Sequence, residues 1–214
     1  MIKNIVFDMG NVLTEYSMAE YICRHTDTEE ERKIIKNEVC GSAEWMQMDR
    51  GILTDEEGIA SICKRVPKEY HSLVERFINE FRMEPEPNPS MEAMVQRLSN
   101  AGYDLYLLSN VAKRFYWFSK NIESISYMKG IWISCEYGYL KPEKDAYLSF
   151  FEKFDLKPEE CLFIDDSAAN IEAAMRCGMQ GIVYHGDVEE LEKKIRTMVR
   201  EEKELTRGQL EELE

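Results

Sequence analysis

Long hydrophobic runs are missing from this sequence of 214 residues. A helix that crosses a bilayer needs roughly 20 consecutive apolar residues, and no segment approaches that length. The first residues carry a single Lys3 and then a short strand-like run, which is too short for the core of a signal peptide. These absences predict a protein that does not span a membrane and is not exported, and we expect it in the cytoplasm.

Cysteine and histidine patterns that would hold a metal are also missing. The six cysteines form no CxxC motif, and the three histidines show no pair with helical ligand spacing. In a chain of this size without an export signal, we expect the thiols to be reduced rather than joined in disulfides.

Positive charge is scarce. The 27 Lys and Arg residues stand against 41 Asp and Glu residues, which leaves a net charge of -14. This balance argues against non-specific binding to nucleic acid or to an anionic membrane. It does not argue against a small anionic substrate, because a local cation or a bound metal outweighs the field of the whole protein.

Short apolar runs that favour strands alternate with helical patterns through most of the chain. The five runs are Lys3–Phe7, Asp104–Ser109, Gly130–Ser134, Cys161–Ile164 and Gly181–Tyr184. The helical patterns between the later runs are Met91–Ala101, Val111–Asn121, Glu143–Phe154 and Ala168–Cys177. This alternation predicts βαβ units around a parallel sheet, and ligands of such sheets bind at the carboxyl ends of the strands.

The segment from Tyr16 to Met83 contains no convincing strand. Its patterns predict helices at roughly Met18–His25, Thr28–Val39, Ala43–Asp49, Asp55–Arg65 and Lys68–Phe81, two of them opened by the capping-box pairs Thr28 with Glu31 and Thr54 with Glu57. The proline-rich MEPEPNPS ends the helical segment. We predict an α/β core of residues 1–15 and 88–214, and an inserted all-α cap of residues 16–87. The hinges are expected near Glu15 and Glu84–Asn88.

Polar side chains follow the predicted strands at four places. They are Asp8, then Ser109 with Asn110, then Lys141 in a loop, then Asp165 with Asp166. Because the carboxyl ends of parallel strands lie on one edge of the sheet, we expect these groups to meet there.

Together these groups have the chemistry of a phosphoryl-transfer site. Asp8, Asp165 and Asp166 supply hard oxygen ligands suited to Mg²⁺, which neutralises phosphate charge. The Ser109 hydroxyl and the backbone amides of the Met9–Asn11 turn are expected to hold phosphate oxygens, and Lys141 adds a positive charge. Asp8 is then able to form an aspartyl-phosphate.

The order Asp8, Ser109, Lys141, Asp165-Asp166 resembles the four motifs of the haloacid dehalogenase-like (HAD) hydrolase superfamily. The S-x-E-x-G-x-x-K-P run at residues 134–142 and the helical insert resemble its subgroup with a helical cap of the first type. The opening FDMGNVL is similar to bacterial members that act on sugar phosphates such as glucose 1-phosphate.

This resemblance implies a Rossmann-like three-layer core, a Mg²⁺ requirement and phosphatase activity on a small phosphorylated metabolite. It assigns Asp8 as the nucleophile and Ser109 and Lys141 as phosphate binders. Asp165 and Asp166 are assigned as metal ligands, together with the backbone carbonyl of Gly10. Asn110, Met9, Gly10 and Asn11 complete the expected phosphate-binding set.

Gly10 departs from the pattern of the family. Most phosphatases of the family have an Asp two residues after the nucleophile, which protonates the leaving group and later activates water; a glycine does neither. Another group or a water supplies the proton, or the substrate has a leaving group that needs little help, or the protein binds without fast turnover. Members with the D-x-G-N pattern are active, which favours the first two explanations together.

Two rival functions stay open. A haloacid dehalogenase would use Asp8 to attack carbon and would need neither a metal nor an acid, but the Asp165-Asp166 pair argues against it. A non-catalytic phosphate-binding protein would not need the nucleophile. Outside the motifs, Asp49 and Arg50 are candidates to reach the substrate from the cap. Asn170 is a candidate to orient a metal ligand or Lys141, and Tyr16 to close over the site.

Overall fold

The computed structural model describes residues 1–15, 17–81 and 86–211, with side chains up to residue 199. Tyr16 and residues 82–85 lie outside these ranges, and residues 84–85 belong to the predicted second hinge. Within them the strands are β1 (Asn4–Phe7), β2 (Thr14–Glu15), β3 (Glu86–Pro87), β4 (Asp104–Ser109), β5 (Gly130–Ile133), β6 (Cys161–Asp165) and β7 (Gln180–Val183). The five predicted strand runs are thus confirmed to within one residue at each end.

Five of these strands form one parallel sheet in the order β5-β4-β1-β6-β7. β4 and β5 are added on one side of β1, and β6 and β7 are then added on its other side. The order reverses between β1 and β6, and this reversal is the switch point at which open α/β sheets bind ligands. The predicted Rossmann-like parallel sheet is confirmed.

The helices cover both faces of the sheet and fill the segment between β2 and β3. They are α1 (Met18–Arg24), α2 (Glu29–Ile34), α3 (Ala43–Asp49), α4 (Asp55–Ile62), α5 (His71–Glu80), α6 (Pro89–Asn100), α7 (Phe115–Phe118), α8 (Ser134–Tyr137), α9 (Lys144–Phe154), α10 (Ala168–Arg176) and α11 (Val188–Glu211). Both predicted capping boxes are present, at the starts of α2 and α4. In the described ranges, no helix combines the length and the apolar character that a membrane span requires.

Alternation along the strands divides the sheet residues between two cores. Ile5 and Phe7 of β1 face one apolar cluster with α6 and α11, whereas Val6 faces a second cluster with α9 and α10. Successive β1 residues therefore pack against opposite helical layers, which gives three layers with the sheet in the middle. The helical segment has a third core of its own, to which Ala112 is added from outside the segment.

Some predicted helices differ from the structure. Only Phe115–Phe118 of the predicted helix Val111–Asn121 is α-helical, because the loop before it is held elsewhere: the Val111 amide donates to Ser134 Oγ at 2.8 Å. The predicted helix Thr28–Val39 changes at Ile35 into a π-helical segment that ends at Cys40. The predicted helix Lys68–Phe81 begins with a 3₁₀ turn.

The two-stranded sheet of β2 and β3 was not predicted from the sequence. Thr14 pairs with Pro87 and Glu15 with Glu86, in antiparallel register, where the chain enters and leaves the helical segment. Strands of two residues are too short to show an alternating pattern, and a proline is tolerated at such an edge. The division into core and cap remains a prediction, although the two strands lie at its predicted boundaries.

Candidate active site

The predicted polar groups meet at the switch point of the sheet. Asp8 directly follows β1, and its backbone amide donates to the Ile164 carbonyl of β6 at 2.9 Å. Asp165 is the last residue of β6, and Ser109 is the last residue of β4. The parallel register of these neighbouring strands therefore places all three side chains on one edge.

Lys141 lies between two of the carboxylates. Its Nζ is 2.8 Å from Asp8 Oδ1 and 2.6 Å from Asp165 Oδ2, and its side chain is 1% exposed. Burial alone would lower the pKa of Lys141, but the two adjacent carboxylates outweigh it and the pKa is raised. Burial raises the pKa of Asp8, and the charge of Asp165 adds to this, although Lys141 opposes it. A further cation beside Asp8 would therefore favour its ionised form.

Asp165 and Asp166 have different surroundings. Asp165 is fully buried and accepts hydrogen bonds from Lys141, from the Ser167 amide at 2.8 Å and from Asn170 Nδ2 at 3.0 Å. Asp166 is exposed and accepts from Asn11 Nδ2 at 2.9 Å. Asn170 thus orients one of the two carboxylates, as one of its candidate roles required.

A divalent cation fits this set of donors. One carboxylate oxygen each from Asp8, Asp165 and Asp166 lies within 4.8 Å of the others. Three carboxylates against the single ammonium of Lys141 leave a local excess of negative charge. Hard oxygen donors with excess negative charge are the ligands that Mg²⁺ prefers.

Two of the predicted phosphate-binding residues have side chains that are engaged elsewhere. Asn110 donates to the Lys141 carbonyl at 2.9 Å and accepts from the Lys141 amide at 2.8 Å, so its side chain positions that loop. Asn11 has a positive φ of 57°, and its side chain donates to Asp166. Any contact of these two residues with phosphate is therefore left to their backbone amides. Ser109 is buried and lines the same cavity as Asp8.

Met9 and Gly10 form the turn after Asp8. The Met9 carbonyl accepts from the amides of Leu13 and Thr14 at 2.9 and 3.0 Å, which closes the turn. A Cβ built on Gly10 would meet no atom within 4 Å, so the glycine is not required by lack of space. Both residues line the cavity next to Asp8.

A cavity of about 250 Å³ joins this edge of the sheet to the helical segment. Residues outside the helical segment contribute Asp8, Met9, Gly10, Thr14, Ser109, Asn110, Val111, Arg114, Phe118, Lys141 and Asn170. The helical segment contributes Met18, Tyr21, Trp45, Asp49 and Phe81. The cavity is thus polar around Asp8 and largely apolar on the side of the helical segment.

Arg114 is a residue of this cavity that the sequence analysis missed. Its side chain is 1% exposed, with Nη1 at 3.0 Å from Asp55 Oδ1 and Nη2 at 3.4 Å from Asp49 Oδ1. Its guanidinium carbon also lies 4.5 Å from the centre of the Trp45 ring. The sequence signal was weak, because an Arg next to Lys113 and before an apolar run does not reveal the partners that bury its charge.

The two residues proposed to reach the substrate from the cap behave differently. Asp49 lines the cavity, and its burial raises its pKa to about 6 although Arg114 opposes the shift. Arg50 does not line the cavity; it pairs with Glu143 and donates to the Gly138 carbonyl at 3.0 Å. The expectation for Arg50 is therefore corrected: its charge joins α3 to the loop before α9.

Comparison with known proteins shows a match to a protein family. Residues 2–178 match the model of the haloacid dehalogenase-like hydrolases. The chain is 23% identical to a sesquiterpene phosphatase, astK of Aspergillus oryzae, over 84% of this chain and 88% of that protein. It is 22% identical to a drimenol cyclase, drtB of Aspergillus calidoustus, over 86% of this chain but only 34% of that protein.

A solved structure shares the fold. A HAD family enzyme from Bacteroides thetaiotaomicron, in complex with magnesium and inorganic phosphate, superposes with a TM-score of 0.71 at 22% identity. The superposition covers 87% of this chain and 96% of that enzyme.

Proposed function

The chain belongs to the haloacid dehalogenase-like hydrolase family, and we propose that it is a Mg²⁺-dependent phosphatase of small phosphorylated metabolites. The observation that carries this proposal is the buried contact of Lys141 with Asp8 and Asp165 beside the exposed Asp166. A nucleophilic carboxylate held by a cation, next to further hard oxygen ligands, is suited to attack phosphorus. The relative named a phosphatase and the neighbour that holds magnesium and phosphate support the same reaction.

The residues of the chain have separate roles in such a reaction. An Asp8 oxygen attacks the phosphorus, the ester oxygen leaves, and an aspartyl-phosphate forms on Asp8. Water then hydrolyses this acyl phosphate and releases inorganic phosphate. Lys141 holds Asp8 in place, and Ser109, which lines the cavity beside Asp8, binds a phosphate oxygen in this proposal.

The metal site would be formed by Asp8, Asp165, Asp166 and the Gly10 carbonyl. When bound, Mg²⁺ supplies positive charge that offsets repulsion between the phosphate and the carboxylates. Asp166 is the better placed of the adjacent pair to bind it, because Asp165 already accepts hydrogen bonds from Lys141, Asn170 and the Ser167 amide.

We further infer that residues 16–87 act as a cap over the cavity. Four polar contacts support a closed arrangement: Arg114 with Asp49 and with Asp55, Arg50 with Glu143, and Ser134 Oγ with the Asp49 carbonyl at 2.6 Å. Opening of the cap to admit a substrate requires these contacts to break. The predicted hinges and the cytoplasmic location remain predictions.

Sugar phosphates are the substrate class that the sequence resemblance suggests. A sugar brings several hydroxyl groups, each of which needs a hydrogen-bond partner when it is buried. The cap side of the cavity is largely apolar, so it favours other leaving groups within the class of small phosphorylated metabolites.

The proposal is tested by release of inorganic phosphate from a panel of phosphorylated metabolites, measured with Mg²⁺ and with a chelator. Asp8→Asn removes the nucleophile and should abolish release at any substrate concentration. Asp104→Asn is the matched control, because Asp104 starts β4 and pairs with the exposed Lys129 instead. Full activity of the Asp8 variant would refute covalent catalysis, and binding without turnover would favour the non-catalytic rival.

A haloacid dehalogenase is the second candidate, and Gly10 is the observation that favours it. Displacement of halide from carbon by Asp8 needs no acid to protonate the leaving group. The cluster of Asp165 and Asp166 near Asp8 argues against it, because three carboxylates beside the single ammonium of Lys141 repel one another unless a second cation is bound. Metal-independent halide release from a 2-haloacid, with no phosphate release from the panel, would decide for the dehalogenase.

A further inference from the structure

The cap contributes a wall to the cavity that is unlike the polar floor around Asp8. Of the described cap residues that line it, only Asp49 is charged; the others are Met18, Tyr21, Trp45 and Phe81. Buried Val111 and Phe118 extend the apolar surface from the core side. A ligand whose phosphate sits at Asp8 therefore projects its leaving group against apolar and aromatic side chains.

The aromatic part of this wall is well packed. Trp45 and Phe81 meet edge to face with ring centres 5.3 Å apart, and Tyr21 meets Phe81 in the same way at 4.9 Å. The Arg114 guanidinium lies against both Trp45 and Phe81. Edge-to-face packing and a stacked guanidinium hold the rings in place, so the wall is preformed.

The cations of the cavity are already paired. Among the lining residues that the structure describes, Lys141 is paired with Asp8 and Asp165, and Arg114 with Asp49 and Asp55. A second anionic group on the substrate would lie near the Asp49 carboxylate, and neither Lys141 nor Arg114 would be unpaired to neutralise it. The wall therefore disfavours leaving groups that carry a carboxylate or a second phosphate.

The size of the cavity limits the leaving group. An engineered apolar cavity of about 150 Å³ is known to bind benzene. The present cavity of about 250 Å³ also has to hold the phosphate. The closed form therefore has room for about one ring or a short branched chain beyond the phosphate.

We propose that the substrate is the monophosphate of an uncharged apolar alcohol, with a leaving group of about one aromatic ring or a short hydrocarbon chain packed against Trp45 and Phe81. The inference rests on the proposed phosphatase function and names its substrate class. It replaces the sugar phosphates that the resemblance suggests.

The test compares two substrates whose leaving groups are both primary alcohols but differ in apolar character. 2-Phenylethyl phosphate and 2-hydroxyethyl phosphate both release a primary alcohol, so the absence of an acid at Gly10 affects them equally. With Mg²⁺ present, we expect kcat/KM to be roughly ten- to a hundredfold higher for the phenyl compound, because its ring is buried on binding. Trp45→Ala should reduce this ratio at least severalfold. Trp117→Ala is the control, because Trp117 is 66% exposed and does not line the cavity, and it should leave the ratio unchanged.

Binding of the two corresponding phosphonates, which are not hydrolysed, separates the inference from the proposed function. Calorimetry with the wild-type protein should show tighter binding of the phenyl phosphonate by a similar factor. Equal kcat/KM values for the two phosphates would overturn the inference and leave the phosphatase function standing. Selective phosphonate binding without hydrolysis of either phosphate would overturn the function and support the apolar ligand class. Neither binding nor hydrolysis would overturn both.

Discussion

An aspartate in place of Gly10 should supply the proton donor that this site lacks. A Cβ at this position meets no atom within 4 Å, and Gly10 is not among the residues with positive φ, so the variant should fold without strain. The new carboxyl would stand two residues after Asp8, in an acidic cluster. Neighbouring carboxylates raise the pKa of such a group and favour its protonated form, which is the form that donates.

The size of the expected effect depends on the leaving group. Well-positioned general acids contribute about 10²- to 10⁴-fold. A carboxyl introduced without supporting hydrogen bonds should reach the low end of this range at most, so we expect about ten- to a hundredfold for an alkyl phosphate. For 4-nitrophenyl phosphate, whose leaving group needs no proton, we expect almost no gain. The wild-type protein should therefore show a steep dependence of rate on leaving-group acidity, and Gly10→Asp a shallower one.

The assay is a single-turnover measurement of the phosphorylation step for a series of substituted phenyl phosphates and one alkyl phosphate. Gly10→Asn is the matched control, since it has the same shape as the aspartate but cannot act as a carboxylic acid. A shallow slope in the wild-type protein would refute the reasoning, because another residue would then be donating the proton. Equal slopes for Gly10→Asp and Gly10→Asn would refute it as well.

Three further perturbations test the packing around the site. Lys141→Met leaves two carboxylates without their buried cation and should lower the free energy of unfolding in urea by about 3–5 kcal/mol. Lys129→Met removes the cation of an exposed pair and should lower it by less than about 1 kcal/mol. Similar losses for the two variants would show that the buried pairs contribute no more to stability than the exposed one. Gly51→Ala should lower activity and stability more than Gly102→Ala. Both glycines have positive φ, but only at Gly51 does a Cβ collide with the backbone of α8. Equal effects of the two substitutions in activity assays and thermal melts would mean that this contact of the cap is not needed. Asp49→Asn should be stabilising at pH 8 relative to pH 4, by up to about 3 kcal/mol. The raised pKa of about 6 means that the folded wild-type protein loses stability as the carboxyl ionises between pH 4 and 7. If the free energy of unfolding in urea had the same pH dependence in the wild-type protein and the variant, the shift would be contradicted.

The sequence by itself determined the sheet and the edge at which the polar groups meet. Five apolar runs bounded by helical patterns are a local signal, and parallel strands necessarily end on one side. That is why Asp8, Lys141 and Asp165 were expected together before their contacts were known. The two capping boxes were predictable for the same reason, since each involves residues only three positions apart.

Tertiary structure decided everything that depends on distant segments. The different surroundings of Asp165 and Asp166 arise from Asn11, Lys141 and Asn170, which are brought together only by folding. The use of Asn110 to hold Lys141, rather than phosphate, has the same origin. In each case the residue type was compatible with several partners, and the local sequence carries no information on which partner is near.

The apolar wall of the cavity is the clearest example of what only the fold decided. In the sequence, these wall residues lie on two helices and at the end of a third, where they match the pattern of an ordinary core: Met18 and Tyr21 on α1, Trp45 on α3, and Phe81 at the end of α5. Whether such residues face their own domain or a ligand depends on how the helical segment rests on the sheet. That placement is set by buried long-range contacts, above all those of Arg114 with Asp49 and Asp55, and no short-range pattern encodes them.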